Sequence, residues 1–214
     1  MGRVYDKIDD DLRAWIETQP VCFVGTAPSG DGGHVNVSPK GGAGTFRVLG
    51  PLSFAYLDLT ASGIETVAHL RQNGRIVVMF CAFADPPKIV RLHGRGRVIL
   101  EANPEFAALA GVFAADDETH ALARAVILVD VTRVADSCGF TVPEMTYAGD
   151  RPGLAPSAAT KRRHRGPDWK STYQAEKNAL SIDGLPGIDA EAPAAPHTGS
   201  WKRLRALHPR PGPH

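Results

Sequence analysis

At 214 residues, 43% of them apolar, the chain has the material for one compact domain whose core needs no disulfide or metal staple, plus some loosely structured sequence. A formal net charge of +1 excludes a molecule-wide field that would drive it onto nucleic acid or an anionic membrane, so electrostatic binding has to be local. Cys22, Cys81 and Cys138 stand far apart with no C-x-x-C pair, which argues against a disulfide framework and suits a reducing compartment.

Met1 to Asp11 is charged and lacks the basic-then-apolar order of a signal peptide, and no stretch reaches the roughly 20 apolar residues of a membrane span. A cytoplasmic protein is the expectation. Ile8, Leu12, Trp15 and Ile16 recur at helical spacing, so Asp6 to Gln19 reads as an amphipathic helix stopped before Pro20. From Val21 the period becomes that of strands: Val21–Thr26, His34–Lys40, Leu52–Thr60, Arg75–Phe83, Lys88–Leu100 and Ala125–Ala135, separated by Gly, Pro and Asp. These runs predict a mainly β fold with peripheral helices, a six-stranded antiparallel barrel.

Two helical insertions interrupt the strands. Ser62 to Gln72 opens with Ser62 and Glu65 at the spacing of a capping box. Asn103 to Val112 and Asp116 to Ala123 form the second, with Asn103-Pro104 as cap and first-turn proline. Residues 1–136 are therefore expected to form the barrel and 137–188 an extension packed on it, with Trp169 to Leu180 as a structured piece. From Asp189 onward Ala, Pro and His dominate without periodicity, which predicts a disordered tail over 189–214.

Alternate side chains of a strand point to opposite faces. His34, Asn36, Ser38 and Lys40 share one face, Tyr56, Asp58 and Thr60 another, and Arg91, His93, Arg95 and Arg97 a third. Each alone also reads as an ordinary solvated face. Together, on adjacent strands, they would line the outer wall of the barrel with hydroxyls, an amide, an ammonium and guanidiniums. The run Thr60-Ala61-Ser62-Gly63 leads into a helix start, where free N–H groups and the positive dipole end hold anions. A flat ring with a phosphate tail suits such a wall, with Lys40 and Arg91 near the phosphate.

Other candidates are weaker. His34, His69, His93 and His120 fall on four elements with no H-E-x-x-H and no Cys/His cluster, so no metal site is expected. His93 reads as a surface histidine or as a partner for a substrate anion or haem propionate. Cys138 reads as a packed small residue or as a reactive thiol. Lys161-Arg-Arg-His-Arg165 lacks the interleaved aromatics that stack bases, and reads as a solvated loop or an anion clamp over a neighbouring subunit's site.

Phe23-Val-Gly-Thr-Ala27, Val35-Asn-Val-Ser-Pro-Lys-Gly41, Tyr56-Leu-Asp-Leu-Thr-Ala-Ser-Gly63 through Glu65-Thr66, Asn73-Gly-Arg-Ile76 and Arg91-Leu-His-Gly-Arg-Gly-Arg97, in this order, resemble the pyridoxamine 5′-phosphate oxidase-like FMN-binding split β-barrels. Ser137-Cys-Gly-Phe140, Val142-Pro143, Glu176-Lys-Asn178 and Ser181-Ile-Asp-Gly-Leu-Pro186 look like the C-terminal signature of a subgroup other than the vitamin-pathway oxidase itself. The resemblance implies a homodimer with FMN held between subunits. It implies cofactor contacts at Asn36, Val37, Ser38, Pro39, Lys40, Thr60, Ser62, Gly63, Thr66 and Arg91. Where the vitamin-pathway enzymes carry an Arg-Lys pair for the phosphate, this chain has Glu65 and Thr66. Trp201-Lys-Arg-Leu-Arg-Ala-Leu-His-Pro209 resembles their C-terminal ending only superficially, and their catalytic positions do not carry over.

The implied activity is flavin-dependent oxidoreduction on a small substrate that the residues do not identify, with the ring supplying the chemistry and no side chain obligatory as acid or base. Two alternatives stay open on the same fold. One is a non-catalytic flavin- or haem-binding protein. The other is a deazaflavin-dependent reductase whose longer acidic cofactor would use Lys161 to Arg165.

Overall fold

The computed structural model describes residues 2–151 and 154–188. The tail expected over 189–214, Trp201 to Pro209 included, lies outside the described residues. The chain begins with a short strand, β1 (Val4–Tyr5), and a helix, α1 (Asp10–Glu17). Asp9 sets where α1 starts, because its carboxylate accepts the Leu12 N–H at 2.9 Å. The helix is therefore shorter than the Asp6 to Gln19 span expected. Ile8, Leu12 and Ile16 still bury one stripe against the barrel.

The strands that follow are β2 (Val21–Thr26), β3 (Asn36–Gly41), β4 (Phe46–Gly50), β5 (Ser53–Leu59), β6 (Arg75–Cys81), β7 (Lys88–Leu100) and β8 (Ala123–Cys138). Every pairing is antiparallel, in the order β3-β2-β6-β7-β8-β5-β4, with β1 added to β8. The sheet thus has eight strands rather than the six expected. The two extra ones, β1 and β4, are too short to show a period of their own. β3 starts at Asn36 rather than His34, because the His34 N–H is taken by the Asp183 carboxylate at 2.8 Å.

Connectivity forces this sheet to curl. β3 and β4 lie at opposite ends of the strand order, yet Gly41 and Phe46 are joined by residues 42–45 alone, a link that spans at most roughly 18 Å. Laid flat at about 4.8 Å per strand, the same edges would stand roughly 29 Å apart. The edges come together as a split barrel; Leu57 N–H donates to Thr45 O at 2.8 Å, which extends the β4–β5 ladder into the link.

Inside, Phe46, Phe54 and Phe80 meet at ring-centroid distances of 6.2, 5.7 and 5.6 Å, mostly edge to face, among Val24, Val78, Leu92 and Ile127. A second apolar layer, with Leu57, Ile99, Phe113 and Leu128, lies under α3 (Phe106–Ala110). α3 begins later than expected, since the Asn103 carboxamide accepts the Glu105 N–H in a turn before it. α4 (Asp117–Leu122) starts at Asp116, which accepts the Thr119 N–H at 2.7 Å.

α2 (Glu65–Asn73) corrects a detail of the sequence reading. The capping box of Ser62 with Glu65 does not form: Ile64 occupies the cap position, with no side-chain hydrogen bond. Gly63, at φ 104°, turns the chain in a way that leaves Ser62 outside the first turn. Beyond the barrel lie α5 (Leu154–Arg165) and α6 (Trp169–Lys177). The basic run Lys161 to Arg165 is thus the last turns of a helix, not a loop.

Phe54 is fully buried at the centre of the aromatic cluster. Phe54→Ala should lower unfolding free energy by about 3–5 kcal/mol, the cost of a large core cavity, read from urea denaturation midpoints.

Candidate functional site

The geometry turns on which residues share a face. Lys40 pairs with Cys22, Cys22 with Phe80 and Phe80 with Val90, one row that faces the barrel interior. The next row, Pro39, Phe23, Met79 and Arg91, faces the other way. Asn36, Ser38 and Lys40 are accordingly half-buried on the inner side, while Val37 and Pro39 are exposed. The expectation of one outer wall carrying Lys40 and Arg91 together is therefore corrected. Arg91 lies on the opposite side of the sheet, where it donates to Ser137 Oγ at 3.0 Å.

At the inner end of the row, Lys40 reaches across the split to Asp58 on β5, with Nζ 2.6 Å from Oδ1. Asp58 is wholly buried, and its other oxygen accepts from Arg124 Nε at 2.8 Å. Arg124 owes its position to a β-bulge: Asp58 pairs with Ala125 and Leu59 with Ala123, which leaves Arg124 as the extra residue turned inward. Its remaining donors go to Ala61 O at 3.0 Å and Gly63 O at 2.8 Å, fixing the loop before α2. Burial alone would raise the Asp58 carboxyl, but the two cations outweigh it and hold the group below its ordinary range. The cluster carries one positive charge in excess.

Next to it runs a chain of neutral groups. Ser38 Oγ donates to Asn36 Oδ1 at 3.1 Å, and Asn36 Nδ2 donates to Thr66 Oγ1 at 3.0 Å and Thr26 Oγ1 at 3.3 Å. Thr26 Oγ1 in turn meets Nδ1 of His69 at 3.0 Å. His69 is fully buried, and burial pushes its pKa down, against the opposing pull of Asp183 and Glu65. Tyr56, beneath Lys40 with Nζ 5.7 Å from the ring centre, is held well above the usual phenol range by burial first and then by Asp58.

The start of α2 is less open than its sequence suggests. A Cβ on Gly63 would lie 2.8 Å from Glu65 Oε2, so the Glu65 carboxylate folds back over the loop and supplies the helix end with its own anion. Thr60 is buried and accepts from Gln174 Nε2 at 3.1 Å, and Asn178 Nδ2 donates to Ala61 O at 3.0 Å. Asp183 accepts from the backbone and ring of His34 at 2.8 and 2.7 Å, and these bonds hold its carboxyl below the ordinary value. Ser62 and Gly63 remain exposed.

The structure thus gathers Asn36, Ser38, Lys40, Thr60 and Thr66 with Asp58, which the sequence reading placed on the wall but not among the cofactor contacts, and adds Arg124 and His69, which it did not place there. The signal for two of them was present: Asp58 is the one charge of β5, and Arg124 stands next to the apolar run Ala125–Val129. His93 stands between Arg133 and Arg91 on the outer face, and burial, then those two cations, lower its pKa. Lys161 packs over Tyr173 with Nζ 4.8 Å from the ring centre, and Arg165 pairs with Glu176 at 2.8 Å. Cys22 and Cys81 are buried and Cys138 is exposed; burial pushes the Cys22 thiol up to about 12. No helix of the described residues is long and apolar enough to cross a membrane.

Residues 8–138 match the family model for pyridoxamine 5′-phosphate oxidase. The chain belongs to that family. A curated family member, the pyridoxamine 5′-phosphate oxidase family protein ustO of Aspergillus flavus, is 41% identical over 194 residues, covering 86% of this chain and 77% of the relative. Among solved structures, HupZ of Group A Streptococcus aligns with 20% identity and a TM-score of 0.45 over 59% of this chain and 91% of its own. An FMN-binding protein from Syntrophomonas wolfei aligns with 12% identity and a TM-score of 0.44 over 58% and 80%.

For this pyridoxamine 5′-phosphate oxidase family chain, Asp58 is the group whose loss does most to the site. Asp58→Asn leaves two cations facing each other without a counter-ion, and should cost about 3–5 kcal/mol of stability at neutral pH. Because its folded pKa is lowered, the contribution of Asp58 is complete above the unfolded carboxyl value of about 3.9 and fades as pH falls through the lower folded value. The acid limb of a stability-versus-pH curve should therefore be shallower in the variant than in the wild type.

Proposed function

We propose that the chain is an FMN-dependent oxidoreductase that works as a homodimer, with the cofactor seated along β3. Family membership supports a flavin-binding fold. The observation that carries the finer reading is the charge excess of the Lys40–Asp58–Arg124 cluster at the end of the neutral row of Asn36, Ser38 and Thr66. The residues fit the group in kind. Amide and hydroxyl groups suit the polar edge of the ring and the ribityl chain, and the excess positive charge suits a phosphate.

When bound, FMN supplies hydride and electron transfer. Lys40 holds the anionic end, and Arg124 keeps Lys40, Asp58 and the 61–63 loop in one arrangement. Glu65 turns the phosphate away from the α2 N-terminus and toward Lys40. Thr60, Ser62 and Gly63 then serve as the wall of the site, and Val37 and Pro39 as the exposed rim that a second protomer would cover. Arg91, on the far side of the sheet, would reach a cofactor only from the partner protomer. In this reading residues 137–188 are an extension whose α6 and following residue hold the start of the Thr60–Gly63 loop through Gln174 and Asn178.

Two measurements test the proposal. The purified protein should be yellow, with the paired visible bands of an oxidised flavin that bleach under a reduced nicotinamide. A Soret band would replace FMN by haem, and a deazaflavin spectrum would replace it by that coenzyme. In calorimetric titration, Lys40→Ala should weaken FMN by about 1.5–3 kcal/mol, the scale of a lost charged hydrogen bond. Unchanged affinity would show that Lys40 does not carry the phosphate.

A further inference from the structure

His69 is wholly buried on α2, and among the described residues its ring makes one hydrogen bond, the 3.0 Å contact of Nδ1 with Thr26 Oγ1. Its Nε2 has no hydrogen-bond partner there. A phenyl ring would fill much the same space without stranding a buried polar atom, so the role of the imidazole lies in the one bond it makes. That bond joins it to the polar row of β3.

The hydrogens along this row run one way. The Asn36 carboxamide gives one N–H to Thr66 Oγ1 and the other to Thr26 Oγ1, and its oxygen accepts from the Ser38 hydroxyl. Thr26 Oγ1 has thus accepted one hydrogen bond and keeps its own hydrogen to donate. The neighbour that can accept it is Nδ1 of His69, provided that nitrogen is bare. Burial meets the condition: it disfavours the imidazolium, against the opposing pull of Asp183 and Glu65, and leaves one ring nitrogen without a proton.

The far end of the row is set by the same bond. Ser38 has donated its only hydrogen to Asn36, so it presents lone pairs alone to whatever lies against β3. Lys40, two residues on and on the same half-buried face, presents N–H donors alone. With a hydrocarbon ring in place of the imidazole, the Thr26 hydroxyl would lose its acceptor. The Asn36 carboxamide would then turn over: both threonines would donate to its oxygen, its N–H would go to Ser38, and the serine hydrogen would swing out toward the ligand.

We infer that His69 is a positioning residue of the candidate cofactor site, one that acts through Thr26 and Asn36 to fix Ser38 as a hydrogen-bond acceptor. The wall then selects a ligand with an N–H or O–H donor at Ser38 and an anionic group at Lys40, about 7 Å further along the strand. This selection rests on β3 being the wall against which the cofactor lies. FMN satisfies it, with ribityl hydroxyls and a ring N–H as donors and a phosphate as the anion.

Two measurements on the full chain test it. In protein carrying isotope-labelled histidine, a nitrogen–proton correlation spectrum shows which ring nitrogen bears the proton, and the His69 signal is the one lost in His69→Gln. A bare Nδ1 with the proton on Nε2 is expected. In Asn36→Asp the new carboxylate only accepts, so Thr26 has to donate to it and to accept from His69, and the proton should appear on Nδ1. A protonated Nδ1 in the wild type, or no change in Asn36→Asp, overturns the inference. In calorimetric titration with FMN, His69→Phe should bind roughly three- to tenfold more weakly, the scale of one hydrogen bond, and His69→Gln, which keeps an acceptor, should recover most of the loss. In a Ser38→Ala background the same His69→Phe change should cost less than about twofold, since the two residues act on the ligand as one. An equal loss in His69→Gln, or an undiminished loss without Ser38, overturns the inference. A wild-type chain that ignores FMN removes the flavin reading alone, because the movement of the His69 proton in Asn36→Asp still decides this one.

Discussion

The Asp58 carboxylate is cut off from solvent between Lys40 and Arg124. A carboxylate withdrawn from water costs several kcal/mol unless opposite charge and hydrogen bonds meet it, and here both do. The need for compensation ties together four parts of the chain: β3 through Lys40, β5 through Asp58, the bulge of β8 through Arg124, and the loop before α2 through two carbonyls. The curled sheet brings its two edges close, and the ion cluster fixes how close they come. Lys40 and the 61–63 loop of the candidate cofactor site are positioned by that seam.

The fold was largely legible in the sequence because strand length and alternation are local properties. β2 and β7 run as the pattern of Val21–Thr26 and Lys88–Leu100 predicts. What failed were elements fixed by distant partners. β4 is only five residues, too short for alternation to show, and it becomes a strand by pairing with β5 through the turn at Pro51-Leu52. β1 has two residues and exists through its pairing with the end of β8. The α2 start followed a capping pattern in sequence, but Gly63 bent the chain and Glu65 turned back over it instead.

The site was legible in part for the same reason. Alternation placed Asn36, Ser38 and Lys40 on one face of β3, but it does not say whether that face looks in or out. Only the pairing register shows that Lys40 shares its row with Val90 and not with Arg91. The roles of Asp58 and Arg124 depend on a bulge, and a bulge leaves no trace in composition. A lone charge in an apolar strand is nonetheless a usable signal, since such a charge has to find its counterpart somewhere across the sheet.

Cys22 sits directly across from Lys40 in the β2–β3 ladder, sealed in the interior with its thiol far from ionisation. A sulfur in that state is chemically silent towards alkylating agents and peroxides, whose target is the thiolate. It stays silent only while β3 remains zipped onto β2. The molecule therefore carries an internal clock: the rate at which Cys22 becomes modifiable measures how often the edge strand beneath the cofactor row peels away, while exposed Cys138 reports the reagent's unhindered pace.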